Sequence, residues 1–158
     1  MLKARLMRDI ITATTPWFRQ HPEGMEVYVT RGKVIATGTA AISFLYEYEL
    51  NVLVLGYPGD LDGVTLPLLA WAGRHQPDLL FNPDRHRDGI AFDVDILDDD
   101  TVDVLFVIKA TERVRVSNDA GQQVIEHLDE PSAAPNIVSG WHDLLAGLTE
   151  KVVADGLG

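Results

Sequence analysis

The clearest pattern along the chain is an alternation. Ile42, Phe44, Tyr46, Tyr48, Leu50, Val52 and Val54 occupy seven successive even positions, with Ser43, Glu47, Glu49 and Asn51 between them. A period of two over that length predicts one long strand, because successive side chains of a strand point to opposite faces. Its first half keeps a polar face. Its second half adds Leu53 and Leu55 and is apolar on both faces, so that end is expected to be covered. Two more alternating runs follow: Ile90, Phe92, Val94 and Ile96, then Val102, Val104, Phe106 and Ile108, continued in phase by Val114 and Val116. Asp98-Asp99-Asp100 between them reads as a turn, which predicts an antiparallel pair. A short strand over 124–128 is expected after the turn at Asp119-Ala120-Gly121. Upstream, Val27, Val29, Val34 and Ile35 flank Arg31-Gly32 and predict a tight hairpin.

Helical spacing accounts for much of the rest. Leu2, Leu6, Ile10 and Ile11 predict an amphipathic helix over 2–13, closed before Pro16. His21-Pro22-Glu23-Gly24 reads as a turn. Leu66, Leu68, Leu69, Ala70, Trp71 and Ala72 predict a second helix that stops before Pro77. Pro67 is tolerated only in a first turn, which sets the start near Thr65. Residues 77–89 read as a loop. Asp129–Gly140 carries Pro131 and Pro135 and reads as a linker. Beyond it Trp141, Leu144, Leu145, Leu148 and Val152 form a helical stripe. A short isolated helix is marginal in water, so this one is expected to dock on its own domain or on a neighbour. The expected fold is α+β: a single domain over 1–128 with a mostly antiparallel or mixed β-sheet and two main helices, in the order α-β-β-β-α-β-β. A linker and a short C-terminal amphipathic helix over 129–158 complete it.

Composition narrows the class. The chain has 158 residues, 46% of them apolar, and no cysteine. That suits one globular domain in a reducing compartment. The longest apolar stretches, Leu50–Tyr57 and Val64–Ala72, fall short of the roughly 20 residues a spanning helix needs. Lys3, Arg5 and Arg8 hint at a leader, but Thr12, Thr14, Thr15 and Pro16 interrupt any apolar region, so none is expected. Net charge is −11, which argues against a general grip on phosphate. Residues 1–33 hold six basic and three acidic residues, a balance of +3, against seven and twenty-one in the remainder, −14. Such an uneven distribution suits attraction between subunits, with Arg5 and Arg8 on one side and Asp98, Asp99 and Asp100 on the other.

Enzyme motifs are sparse. Asp93, Asp95, Asp98, Asp99, Asp100 and Asp103 crowd one predicted hairpin, and oxygen-rich clusters bind Ca²⁺ or Mg²⁺ when they converge. Counted from Asp93, however, a calcium loop would need Gly at Asp98 and Glu at Val104, so the pattern fails. His86 lies in a polar loop, and no two histidines share a helix at ligand spacing. Phosphate-binding glycine loops and a Gly-x-Ser-x-Gly elbow are absent. No catalytic residue, metal or cofactor is expected. The one hydrolase reading left open would use the Asp93–Asp103 cluster with a metal.

Several segments occur together in an order that points to a family. They are Met1-Leu2-Lys3, then Ala36-Thr37-Gly38-Thr39 ahead of the strand from Ser43 to Asn51. Pro67 to Trp71, His75-Gln76-Pro77-Asp78, Asp95 to Asp99, and Leu105 through Thr111-Glu112-Arg113 follow. Residues 1–116 thereby resemble the GpR family of tail completion proteins from temperate contractile-tailed phages. The resemblance implies a structural part of the virion, tail terminator-like, made in the host bacterial cytoplasm. It implies a ring, a hexamer by analogy, that caps the head-proximal end of the tail tube and contributes to head–tail joining. Its partners would be copies of itself and the tail tube, sheath and neck proteins, with no membrane and with DNA only as passing cargo. Phage, prophage and tail-like bacteriocin are all possible sources. An assembly chaperone that leaves the finished particle is the alternative in the same pathway. Trp141, Leu144, Leu145, Leu148, Arg5, Arg8, Asp98, Asp99 and Asp100 are the expected interface residues.

Overall fold

From Phe44 onward the long alternating run does form one strand, and a computed structural model shows how the rest assembles around it, describing residues 1–38, 42–97 and 99–129. Helices α1 (Leu2–Thr14) and α2 (Pro16–Gln20) and a 3-10 turn (Pro22–Gly24) lead into β1 (Met25–Ala36) and β2 (Phe44–Tyr57). Helices α3 (Asp62–His75) and α4 (Asp78–Phe81) come next, then β3 (Ile90–Ile96), β4 (Val102–Asp119) and β5 (Gln122–Leu128). All pairings are antiparallel, in the order β1-β2-β4-β3, with β5 also on β4. The fold is α+β as expected. Asp98, Trp141, Leu144, Leu145 and Leu148 lie outside the described residues, as does the C-terminal helix expected after the linker.

Three local expectations change. Arg31-Gly32 does not turn the chain. It makes a β-bulge inside β1, where the register with β2 shifts between Thr30 and Lys33. Arg31 takes a left-handed φ of 52°, the conformation that opens a bulge by one residue. The hairpin partner of β1 is instead the long strand β2, so two strands rather than three precede α3. The expected loop over 77–89 contains the short helix α4. Finally, α3 begins three residues before Thr65 and holds Pro67 in its interior. A proline there removes the donor that would bond the carbonyl of Gly63. The Thr15 hydroxyl replaces it, donating to Gly63 O at 2.9 Å.

The core lies on one face of the sheet. Tyr48, Leu50, Val52 and Val54 of β2 and Val104, Phe106, Ile108 and Ala110 of β4 meet Met7, Ile11, Phe18, Val64, Leu68 and Trp71 from the helices. Each such large apolar side chain contributes about 1.5–3 kcal/mol through burial. Phe18 and Trp17 pack on Tyr57, with ring centroids 5.5 Å apart in both cases, and fix α2 to the end of β2. The other face carries no helix among the described residues. Leu53, Leu105 and Val107 do not join the core cluster, and Leu55 is 45% exposed. The cover expected at this end of β2 is therefore not supplied by any described element.

β4 organises the sheet. Its register with β2 runs from Val102 to Val114, and β5 pairs with Arg113 to Asp119. Because β2 already occupies one edge at Arg113 and Val114, β5 sits on the opposite edge, the one β3 uses at Val102–Ile108. A gap therefore opens on that edge between β3 and β5, at Lys109–Glu112.

Candidate functional site

Polar residues fill that gap. Thr111 has neither β3 nor β5 beside it, and an unpaired buried backbone group is costly. Its N–H donates to Gln76 Oε1 at 3.1 Å, and its carbonyl accepts from Lys3 Nζ at 2.5 Å. Lys3 Nζ also donates to Gln76 Oε1 at 2.7 Å. The Gln76 amide donates in turn to Thr111 Oγ1 at 3.1 Å and to Asp78 Oδ1 at 2.6 Å. Side chains from α1 and the end of α3 thus act as a short substitute strand. Asp78 is further held by an ion pair with Arg85.

Glu112 lies one residue further along and points into the core. Helix α1 begins without a cap of its own, and its first amides need acceptors. Glu112 provides them. Its carboxylate accepts from Leu2 N at 3.2 Å, Lys3 N at 2.9 Å and Tyr48 Oη at 3.2 Å, and also from His127 Nδ1 on β5. Trp71 Nε1 donates to Lys3 O at 3.1 Å. Lys3, Gln76 and Glu112 are all buried. Burial pushes the Glu112 carboxyl up, but the Lys3 amide, His127 and the Leu2 amide outweigh it and hold the carboxyl below its ordinary value. Burial, reinforced by the neighbouring Glu112 charge, drives the Tyr48 phenol far upward, so it stays a donor. Burial likewise lowers His75, against the opposing pull of its Asp129 partner 3.1 Å away. Among the described residues no buried side-chain polar atom lacks a partner. A cluster satisfied in this way ties α1, α3, β2, β4 and β5 together.

The residues expected at an interface occupy other places. Arg8 donates to Met25 O at 3.0 Å and Pro22 O at 3.2 Å, strapping α1 to the start of β1. Arg5 is exposed and, with Met1, Leu2 and His127, lines a cleft of about 320 Å³. Asp99 closes its turn by accepting from Thr101 N at 3.2 Å and Thr101 Oγ1 at 2.6 Å. Those bonds hold its carboxyl below the usual value. Asp100 follows with a φ of 62°. Asp93 and Asp95 are exposed on β3, and Asp103 accepts from Gly56 N at 2.8 Å. Among the described residues no three His, Asp or Glu side chains converge to hold a metal. A second cleft, of about 590 Å³, is lined by Arg31, Lys33, Glu47, Glu49, Arg85 and Lys109, with charges of both signs.

The buried cluster was not foreseen from the residues one at a time, although two signals mark it. Lys3 sits in the stripe Lys3, Met7, Ile11 that α1 buries. Glu112 falls in the apolar phase of β4, between Ile108 and Val114. The cluster also draws on the segments that carry the resemblance: Met1-Leu2-Lys3, Pro67 to Trp71, His75 to Asp78, and Thr111-Glu112-Arg113.

Comparison with known proteins agrees. A family model described as P2 phage tail completion protein R (GpR) matches residues 1–131. Tail completion protein R of Escherichia phage P2 is 31% identical over 131 residues, which span 83% of this chain and 84% of that protein. No solved structure matches. The chain belongs to the P2 phage tail completion protein R (GpR) family.

Proposed function

We propose that this protein completes the phage tail as a ring of copies. The ring caps the tail tube at its head-proximal end, remains in the virion and offers a surface for joining the head. A role in phage tail assembly follows from family membership. The ring, the cap and contacts with tube, sheath and neck proteins are our reading. The observation that carries it is that the family match, residues 1–131, takes in every segment the polar cluster ties together, from Leu2 and Lys3 on α1 to His127 on β5. The described residues form a scaffold whose outward features include sheet edges and charged surface. Its most elaborate polar constellation is spent on holding helices to the sheet, which supports work by binding rather than by turnover. A wall past which DNA travels should also not grip phosphate, and a chain of net charge −11 suits that task.

Particles assembled without this protein test the reading. Electron microscopy is expected to show tubes of uncontrolled length, or finished tails that never join heads. Mass spectrometry of intact tails is expected to find the protein in them. Normal tails without it, or its absence from every finished particle, would sink the proposal.

A further inference from the structure

Among the described residues the helix layer reaches β3 only at Ile90, which packs against the core. Phe92, Val94 and Ile96 lie across from Phe106, Val104 and Val102, so they face the helix side of the sheet. Yet they are 52%, 39% and 79% exposed. β3 ends the strand order, and its outer edge has no strand beside it among the described residues. An exposed apolar edge strand is a template for further pairing. On the opposite face of the same strand stand Asp93 and Asp95, the latter directly across from Asp103. No basic side chain among the described residues pairs with any of the three. Like charges facing each other across strands are destabilising, so a cation brought by another molecule is favoured here.

At the far end of the strand order from β3, β1 also has no strand beside its outer edge among the described residues. Past its bulge, Val34 and Ile35 are 69% and 39% exposed. The side chains of Arg31 and Lys33 are 80% and 71% exposed, each 3.8 Å from a glutamate of β2. This edge is apolar and basic where β3 is apolar and acidic.

We propose that the two edges meet between copies: β3 of one protomer pairs antiparallel with the second half of β1 of the next. Strand directions permit it. They alternate across β1-β2-β4-β3, so a second copy set in the same orientation continues the alternation and keeps both helix layers on one side. One register satisfies charge and face together. With Lys33 opposite Asp93, Val34 falls opposite Phe92 on the helix side and Ile35 opposite Ala91 on the other. The extra residue of the Arg31-Gly32 bulge is taken up opposite Val94. Thr30 then meets Asp95, and Val29 meets Ile96, each pair again sharing a face. The neighbour's α1, which packs by β1, comes toward the strip of β3 that the described helices leave bare. Contact between two different edges is head-to-tail, and its repetition generates a ring if the rotation closes. The inference rests on the ring reading above and names its interface.

The chain contains no cysteine, so thiol pairs report contacts cleanly. Residues directly opposite in an antiparallel pair have Cα atoms about 4.5–5.5 Å apart, inside the disulfide range of about 4.4–6.8 Å. Within one chain β1 and β3 are separated by β2 and β4, about 14 Å in all, so no link forms in cis. Val34 and Phe92 are more than half exposed, so cysteine is tolerated at both. The double variant Val34→Cys/Phe92→Cys is oxidised in concentrated solution and in purified tail particles. A ladder of linked dimers, trimers and larger species is expected. Neither single variant should link, nor should Val34→Cys/Ile96→Cys, which is four residues out of register. The proposal is overturned if the ladder is missing from both preparations, or if a single variant dimerises as readily as the double variant links. Mass spectrometry of the same particles separates the two readings: protein present without a ladder removes this interface and leaves the tail role standing.

Discussion

Glu112 stands where the alternation of β4 asks for an apolar side chain, and its carboxylate does what no apolar group could. It caps α1 from a strand more than a hundred residues away in sequence. Each buried donor left without an acceptor costs about 1–3 kcal/mol. Glu112→Ala strands the Leu2 and Lys3 amides and the Tyr48 hydroxyl, so a loss of about 3 kcal/mol or more is expected in urea unfolding. Glu112→Gln keeps the shape and part of the bonding and should cost less. Acid stability gives a second readout. A carboxyl held below its ordinary value stabilises the fold above that value, near 4.5, and the contribution disappears as pH falls through the folded pKa. The wild type should therefore lose stability on acidification below about pH 4.5, and Glu112→Gln should flatten that limb. Equal acid slopes for the two proteins would contradict the role assigned to this carboxylate.

Among elements, α3 shows how a local rule is broken and repaired. Its interior Pro67 removes one backbone donor, and Thr15, between α1 and α2, supplies a hydroxyl in its place. Thr15→Val preserves shape and deletes that donor. It is expected to lower stability by about 1–2 kcal/mol, with no change in helix content by circular dichroism. A neutral result would mean the Gly63 carbonyl finds another partner. This repair was illegible in the sequence because it joins positions forty-eight residues apart, and proline position alone set the helix start three residues late. Strands read better. β2, β3 and β4 follow from their period of two; in β2 and β4 burial of one face enforces the alternation however the strands pair. Arg31-Gly32 was misread because a bulge and a turn use the same left-handed backbone. Only the partner strand, long enough to span both sides of the bulge, decides between them. The polar cluster escaped for a related reason. Lys3 and Glu112 break the apolar pattern of their elements, but nothing local says that the two exceptions meet.

For the whole molecule, charge sets the conditions of assembly. Every copy carries −11, so copies repel one another over distances that salt controls, while contacts between β1 and β3 act at hydrogen-bond range. The screening length is about 30 Å at 0.01 M salt and about 8 Å at 0.15 M. At the lower concentration repulsion spans an entire protomer and opposes association. At the higher one it is cut back to nearest groups, and strand pairing, buried apolar side chains and the Lys33–Asp93 contact are left to decide. Isolated protein is therefore expected to sediment as a monomer at 0.01 M salt and to shift toward larger species near 0.15 M, at concentrations of tens of micromolar or more. Lys33→Glu puts a second acid at the edge meant to receive Asp93 and should hold the protein monomeric at both salt concentrations. Asp93→Lys in the same chain should restore association by exchanging the signs. If association were instead strongest at low salt, attraction between oppositely charged surfaces, not edge pairing against a repulsive background, would be what brings the copies together.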